Sequence, residues 1–191
     1  LSITATNLTY VQDNMELNVG EPTCIVNIPD ANFKAALVAN VSINTNSDGE
    51  IQCSEATAYT GTINVTNQSI SDLTGIEAFT AINGLICSNN SLSSLDLTAN
   101  ENLLSLYCNQ NALTSLDLTA NTSLTTVSCL LNSITSLNGT GLTNLDILNC
   151  AANQITSLDL STNTQLTSLS ISSNQISSLD LTGITGLTYF E

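Results

Sequence analysis

The chain has 191 residues, with 16 acidic residues, one basic residue and no histidine, so its formal net charge at pH 7 is −15. A protein that binds phosphates needs lysine and arginine, so this balance argues against nucleic-acid binding and against attraction to anionic membranes. No apolar stretch approaches the roughly 18 residues of a membrane-spanning helix, which predicts no membrane insertion. With no histidine, a single lysine (Lys34) and thiols that are expected to face inward, only carboxylates remain for catalysis. Because they recur as a regular column and not as a pair in a cleft, we expect no enzyme.

The N-terminal residues precede a short predicted helix. Residues 1–28 show neither a repeat nor a helical pattern, and we expect a linker or edge strands there. Asp30 is a typical helix N-cap, and Phe33 and Leu37 would form the apolar stripe of the helix that follows. Residues 29–58 are therefore predicted to form a helical cap over the open end of the later repeats.

A segment of this cap matches the twelve-residue calcium-binding loop. It has oxygen-bearing side chains at positions 1, 3 and 5, glycine at 6 and glutamate at 12. Position 1 is asparagine rather than aspartate, which predicts weak binding, with a Kd of about 10⁻⁴ to 10⁻³ M. The alternative is a metal-free connection whose side chains satisfy its own backbone. The predicted calcium ligands are Asn44, Asn46, Asp48, the carbonyl of Glu50, Gln52 through water, and Glu55.

Residues 59–191 carry a repeat of 21 residues. Four cysteines, Cys87, Cys108, Cys129 and Cys150, mark its register, with apolar residues two and five positions before each and asparagine three positions after. This is the L-x-x-L-x-L-x-x-N/C-x-L pattern of leucine-rich repeats. The pattern predicts a repeat solenoid, mainly β, with 21-residue turns, a parallel β-sheet on its concave face and a short N-terminal helical cap.

The register also predicts the roles of the cysteines and of one column of asparagines. The array cysteines share an interior column with Val65 and Ile171, so we expect buried free thiols; a metal–thiolate ladder is the alternative. Cys24 and Cys53 lie outside the array and are candidates for a disulfide that fastens its N-terminal end. The asparagines are expected to satisfy backbone groups where the chain leaves each strand. They are Asn90, Asn111, Asn132, Asn153 and Asn174.

The outward side chains of the predicted strands form the candidate binding surface, because this face of such a solenoid is wide and rigid. Most of them are small and polar, but four apolar residues form a diagonal trace with two asparagines beside it. An exposed tyrosine flanked by amides suits a sugar ring or a partner's loop, and the alternative is scattered surface side chains without a partner. The predicted ligand-binding residues are Ile86, Tyr107, Asn109, Leu130, Ile147 and Asn149.

A second outward row follows the L-D-L segments of the repeats. Stacked carboxylates repel one another unless hydrogen bonds or cations compensate. Each aspartate is expected either to cap its own turn or to collect cations weakly or make a lateral contact. The row consists of Asp96, Asp117, Asn138, Asp159 and Asp180.

Three segments and the repeats together resemble a known group of proteins. The segments are Ile28–Leu37, Asn44–Glu55 and Ile70–Phe79, and the repeats read L-T-S-L-D-L-x-x-N-T. Over about residues 25–191 the chain is similar to secreted, surface-displayed leucine-rich repeat proteins of Bacteroidota-type bacteria, related in style to internalin-like adhesins. The resemblance implies a secreted or cell-surface interaction protein and specifies no ligand.

These observations lead to two functional hypotheses. The first is a non-catalytic extracellular recognition or adhesion module of a bacterial cell-surface protein, which binds a protein or glycan on another surface. In this hypothesis calcium stabilises the N-terminal cap of the module. The second is a stalk or filament subunit that self-associates end to end through the open solenoid ends. The final turn at Leu187–Phe190 favours the second, because it shows no polar capping repeat.

Overall fold

The computed structural model describes residues 24–191. Helix α1 spans Ala31–Val38, helix α2 spans Cys53–Ala58, and a 3-10 turn spans Ile76–Ala78. Within these residues no helix has the length and apolar character needed to cross a bilayer. The strands are β1 Thr62–Asn64, β2 Gly84–Ile86, β3 Ser105–Tyr107, β4 Ser115–Asp117, β5 Thr126–Ser128, β6 Ser136–Asn138, β7 Ile147–Asn149, β8 Ser168–Ser170 and β9 Tyr189–Phe190.

The strands form two parallel sheets. The larger has the order β1-β2-β3-β5-β7-β8-β9, and β4 pairs with β6 in the smaller one. Within the larger sheet Leu85 pairs with Leu106, and Leu106 pairs with Val127, each partner lying 21 residues further along the chain. One repeat therefore advances the chain by one strand spacing, about 4.8 Å. The predicted solenoid of 21-residue turns is confirmed, whereas the expectation for residues 1–28 falls almost wholly outside the described residues.

Two inward columns of side chains fill the core behind the larger sheet. Leucines and valine of the strands form one column, and the four array cysteines form the other, each cysteine being fully buried. All four are free thiols, as predicted. Burial raises the pKa of Cys87 and of Cys150 to about 12, and it also raises the pKa of Cys108 and of Cys129. These thiols therefore stay protonated and unreactive at neutral pH.

The predicted asparagine column joins successive turns. Asn111 Nδ2 donates to the carbonyls of Cys108 and Cys87, both at 3.1 Å, and Asn111 Oδ1 accepts from the N–H of Leu92 at 3.0 Å. The other asparagines of the column make the same bonds to their own cysteine or isoleucine position and to the turn before. The expected role is confirmed, because the amide satisfies backbone that the bend leaves without ladder partners.

A second asparagine column was not predicted. Asn121 Nδ2 donates to the carbonyls of Leu97 at 3.0 Å and Asn100 at 2.9 Å, and Asn100 and Asn163 occupy equivalent positions. Unlike the first column, these three side chains are buried with an Oδ1 that has no hydrogen-bond partner. Position 142 of the same column holds leucine, which interrupts the ladder.

Each turn leaves its strand through a residue with left-handed backbone. Gln110 has a φ of 54°, Leu131 of 57° and Ala152 of 53°, and the residue that follows each is an asparagine of the first column. L-residues pay about 1–2 kcal/mol to adopt this conformation. The repeated bonds of the following asparagine therefore hold a backbone geometry that the local residue disfavours.

The start of helix α1 joins the N-terminal cap to the array, and Asn32 Nδ2 donates to the carbonyl of Ser69 at 3.1 Å. Asp30 Oδ1 accepts from the N–H groups of Asn32 and Phe33, both at 3.0 Å, which confirms the predicted N-cap. Asp30 Oδ2 accepts from the N–H of Ser71 at 2.9 Å in the adjoining turn. Phe33 is fully buried. Helix α1 is thus tied to the first turns by both packing and hydrogen bonds.

Cys24 and Cys53 form a disulfide, with their Cα atoms 5.4 Å apart. The N–H of Cys53 also donates to the carbonyl of Cys24 at 2.8 Å, and Ile25 forms an antiparallel bridge with Gln52. The first described residues are therefore fastened covalently and by backbone bonds to the start of α2. The division into residues 29–58 and 59–191 as separate units stays a prediction.

Candidate functional site

The outward face of the larger sheet presents the residues predicted to bind a ligand. Ile86 on β2 is the direct partner of Tyr107 on β3, and both side chains are partly exposed. Leu130 follows β5 two residues after Ser128, the partner of Tyr107, so it lies diagonally beside Tyr107 on the next strand. Ile86, Tyr107 and Leu130 therefore form one apolar cluster, which we call the Tyr107 cluster.

Ile147 does not continue this cluster. It is the partner of Thr126 at the beginning of the strands, whereas Leu130 lies past their end. Four residues of extended chain span about 13 Å, so the two side chains occupy opposite margins of the face. The predicted diagonal trace is wrong at Ile147, because Leu130 lies in the third outward column of its strand and Ile147 in the first outward column of the next.

The two asparagines predicted beside the trace hold the sheet together. Asn109 Oδ1 accepts from Ser128 Oγ at 2.7 Å and from the N–H of Leu130 at 3.0 Å. Asn149 Oδ1 accepts from the N–H of Ala151 at 3.2 Å. Among the described residues their Nδ2 groups donate no hydrogen bond. Asn109 thus fixes Leu130 beside Tyr107 and keeps an amide donor at the edge of the Tyr107 cluster.

Sequence reasoning missed two exposed leucines. Leu131, next to Leu130, and Leu104, just before β3, are each 48% exposed. Both occupy repeat positions that hold other kinds of residue in neighbouring turns, for example Gln110 and Ala152 for Leu131. A comparison of each repeat position across turns, rather than along one strand, would have identified them.

The six predicted calcium ligands lie in one compact loop. Asp48 Oδ2 accepts from Asn46 Nδ2 at 2.9 Å and from Gln52 Nε2 at 2.8 Å, and Asp48 Oδ1 accepts from the N–H of Glu50 at 2.8 Å. This last bond is the main cause that holds the pKa of Asp48 below its ordinary value. Two amide groups therefore point their hydrogens at the carboxylate around which a cation would be expected.

Glu55 closes the loop from the first turn of α2. Its Oε1 accepts from the N–H of Thr45 at 2.7 Å, and its Oε2 accepts from the N–H of Gln52 at 3.1 Å. Burial raises the pKa of Glu55, but these hydrogen bonds outweigh it and leave the pKa below its ordinary value. The carboxylate is ionised and sits over the backbone of the loop.

The fit of this loop to a cation rests on Asn44. Its Nδ2 donates to the carbonyls of Val38 at 3.1 Å and Asp48 at 2.7 Å, while its buried Oδ1 has no partner. An unused buried oxygen at position 1 fits a calcium ligand. The side chain of Glu50 instead binds Lys34 Nζ at 2.6 Å, which leaves the Glu50 carbonyl as the predicted ligand. Within residues 24–191, no three histidine, cysteine or acidic side chains converge as a metal group.

The aspartates of the L-D-L row cap their own turns, which was the first of the two roles expected for them. Asp96 Oδ1 and Asp117 Oδ1 each accept from the N–H of the threonine two residues later, at 3.0 Å, and Asp180 does so at 2.8 Å. The backbone and hydroxyl bonds from Thr98 hold the pKa of Asp96 below its ordinary value. The aspartates of the row are therefore exposed and hydrogen-bonded within their own turns.

A family model matches most of the chain. Residues 28–174 match the leucine-rich repeat domain of the endo-beta-N-acetylglucosaminidase EndoS. No curated protein matches the sequence.

Solved structures share the fold. The functional domain of InlJ from Listeria monocytogenes, which includes a cysteine ladder, is 31% identical with a TM-score of 0.54, over 87% of this chain and 46% of that one. An internalin, InlF, from Listeria monocytogenes str. 4b F2365 is 20% identical with a TM-score of 0.74, over 88% of this chain and 58% of that one. A leucine-rich repeat protein of Leptospira interrogans is 23% identical with a TM-score of 0.52, over 54% of this chain and 28% of that one. The chain thus spans 46% and 58% of the length of the two Listeria structures.

Proposed function

The chain belongs to the family of EndoS-type leucine-rich repeat domains, and on that premise we propose that it is a non-catalytic recognition module that binds a protein on another surface. The Tyr107 cluster carries this proposal. Ile86 and Tyr107 are paired neighbours on a rigid parallel sheet, and Leu130 beside them is fixed by Asn109. A partly exposed aromatic side chain with aliphatic neighbours on a rigid support is typical of the centre of a protein interface.

The state of the reactive groups supports a non-catalytic role. Cleavage of a glycosidic bond needs two carboxylates that flank the bond, whereas the aspartates of the L-D-L row each bond their own turn. The array thiols are buried and protonated, which removes them as nucleophiles. Binding energy rather than bond chemistry is what these surfaces offer.

We place the module outside the bacterial cell, at its surface. The Cys24–Cys53 disulfide persists in oxidising compartments, and the remaining thiols are too deeply buried to exchange with it. The fold shared with the Listeria internalins agrees with a role at a surface.

Recognition is tested with fluorescent beads that carry the chain, applied to intact cells of candidate host and bacterial types. We expect adhesion that is abolished when surface proteins are removed with protease and that survives periodate oxidation of surface glycans. Tyr107→Ser and Ile86→Ser should reduce adhesion at least tenfold, a loss typical of interface centres. The matched control is Val41→Ser, because Val41 is 79% exposed and lies by the cap helix. Equal adhesion by all three variants, or no adhesion at all, contradicts the proposal.

Calcium is proposed as the stabilising ion of the cap loop. The unused Oδ1 of Asn44, with Asp48 and Glu55 beside it, supports this assignment. We expect millimolar calcium to raise the melting temperature of the wild type and to leave Asp48→Asn unchanged, with magnesium far less effective because it demands smaller octahedral sites. An identical calcium response in both proteins, or no response in either, contradicts the site.

End-to-end self-association is the second candidate function, and one observation favours it. Phe190 on β9 pairs with Leu169 and continues the inward column, yet it is 55% exposed. Another turn packed against β9 would bury this ring, and a second copy of the chain would supply one. Light scattering over a range of concentrations tests this, with Phe190→Ser expected to abolish any assembly. A monomer at all concentrations contradicts it.

A further inference from the structure

A shallow groove of about 610 Å³ follows the edge of the larger sheet where its strands begin. Its walls are two rows of side chains that recur with the 21-residue repeat. One row is formed by Ser123, Asn144 and Gln165, and the other includes Leu104 and Asp146. Tyr107 lies three residues beyond Leu104, about 10 Å along the strand. The groove is therefore separate from the Tyr107 cluster.

Part of the polar lining of the groove is already bonded within the protein. Thr125 Oγ1 donates to the carbonyl of Leu104 at 3.1 Å, and Thr167 Oγ1 donates to Asp146 Oδ1. The Thr167 bond fixes Oδ1 of the Asp146 carboxylate, and among residues 24–191 the other oxygen, Oδ2, accepts no hydrogen bond. The position of the carboxylate is thus set before any ligand arrives.

The rest of the polar lining is unused. Among the described residues, the hydroxyl of Ser123 and the amide of Gln165 form no hydrogen bond, and Asn144 donates only a long bond of 3.5 Å to the carbonyl of Thr122. An amide side chain offers both donors and an acceptor in one plane. Three successive turns therefore present free neutral donors and acceptors in a row, at intervals of about 4.8 Å.

Charge restricts the class of ligand. The chain has a net charge of −15, and its single basic side chain, Lys34, is bound to Glu50. An anionic ligand would meet Asp146 with no compensating cation in the groove. A basic peptide would find one carboxylate among neutral groups, too few to pair a series of cationic side chains. A neutral ligand rich in hydroxyl groups suits this lining, because hydroxyl groups both donate and accept.

We propose that this groove binds a neutral oligosaccharide. Asp146 Oδ2 accepts from sugar hydroxyl groups, and the amides of Asn144 and Gln165 bond successive sugar units one turn apart. Leu104, which is 48% exposed at one end of the groove, packs against the apolar face of a ring. The site is independent of protein recognition by the Tyr107 cluster, and either can exist without the other.

The site is tested by titrating ¹⁵N-labelled protein with neutral tetrasaccharides of β-1,4-linked glucose and of β-1,4-linked N-acetylglucosamine, and with a sialylated trisaccharide. We expect amide signals of residues around Ser123, Asn144 and Gln165 to shift with a neutral sugar at millimolar concentration, and to shift less with the sialylated one. Binding at this strength is normal for a shallow site with few contacts.

Variants separate the groove from a general effect on folding. Gln165→Ala is expected to weaken binding at least fivefold, and Asp146→Asn about tenfold, through lost hydrogen bonds to the ligand. Because the Gln165 side chain bonds nothing in the described structure, its removal leaves the fold intact. Gln175→Ala, an exposed glutamine outside the groove, is the matched control and should bind as the wild type.

Several results overturn the proposal. They are the absence of shifts with both neutral tetrasaccharides, shifts confined to residues outside the groove, a stronger response to the sialylated sugar, and binding unchanged in Gln165→Ala and Asp146→Asn. Loss of sugar binding in Tyr107→Ser, with its fold intact, would move the site to the sheet face. Failure of the bead adhesion experiment would leave the groove untouched, so the two proposals fail separately.

Discussion

The two asparagine columns predict losses of different size for the same substitution. Asn111→Leu removes the acceptor of the Leu92 N–H, which is left buried without a partner. The carbonyls of Cys87 and Cys108 each keep a bond, from Asn90 and from Asn132 respectively. One orphaned N–H costs about 1–3 kcal/mol and the two weakened carbonyl positions cost further, so we expect a loss of about 2–4 kcal/mol in the free energy of unfolding.

Asn121→Leu is the matched comparison. The buried Oδ1 of Asn121 has no partner, so leucine removes an unsatisfied group along with two donated bonds. Leu97 and Asn100 retain backbone donors to the same carbonyls, from the N–H groups of Asn100 and Leu103. Position 142 already holds leucine in this column. We expect a change within about 1 kcal/mol.

Urea unfolding followed by circular dichroism measures both variants, with the m-value checked because long repeat arrays can lose two-state behaviour. A loss in Asn121→Leu as large as in Asn111→Leu would refute the reasoning. It would mean that the stabilisation from the hydrogen bonds of Asn121 Nδ2 exceeds the cost of burying its Oδ1 without a partner, so that an unpartnered amide oxygen costs little in this core.

Three other perturbations follow from the same structure. Ala152→Gly should stabilise the chain by about 0.5–1 kcal/mol in the same unfolding assay, because Ala152 has a φ of 53°. Ala112→Gly is the control, and it should destabilise the chain because Ala112 has no positive φ. Burial raises the pKa of Asp30, but the hydrogen bonds from Ser71 and Phe33 outweigh it and leave the pKa below its ordinary value. The stabilisation from Asp30 is complete above the pKa of the unfolded chain and is lost as the pH falls through the lower pKa of the folded state. The melting temperature of Asp30→Asn should therefore fall less on acidification below about pH 5 than that of the wild type, and parallel curves would contradict this. None of the 4 array thiols should react with a thiol reagent in native protein, and all should react after unfolding; fast native labelling would contradict their burial.

The repeat made the fold predictable because buried positions recur with little variation. Cysteine or an aliphatic residue at one position and asparagine three residues later fix which side chains point inward, and the parallel register follows from their equal spacing. The second asparagine column escaped notice because Leu142 and Ile184 replace asparagine in two of its five turns. Periodicity therefore detects a ladder only where few turns depart from it.

The surface was less predictable than the core. The alternation of inward and outward side chains along a strand identifies the outward residues. It does not by itself show which outward residues of successive strands are neighbours, and for that reason Ile147 was wrongly included in the diagonal trace. The bonding of Asp146 by Thr167 depends on side chains 21 residues apart that no local motif links. The spacing predicts a calcium-type cap loop, whereas the unused Oδ1 of Asn44 depends on the bonds that its Nδ2 makes to Val38 and Asp48.

The single lysine bears on how long the chain would survive among digestive proteases. An enzyme that cuts only after lysine or arginine finds one such bond in 191 residues, and it lies inside α1, where Lys34 is held by Glu50. Cleavage there requires the helix to open first. Even a cut chain would not separate, because Cys24 and Cys53 lie on opposite sides of the bond and remain joined. The nicked protein would keep its array and its cap as one particle.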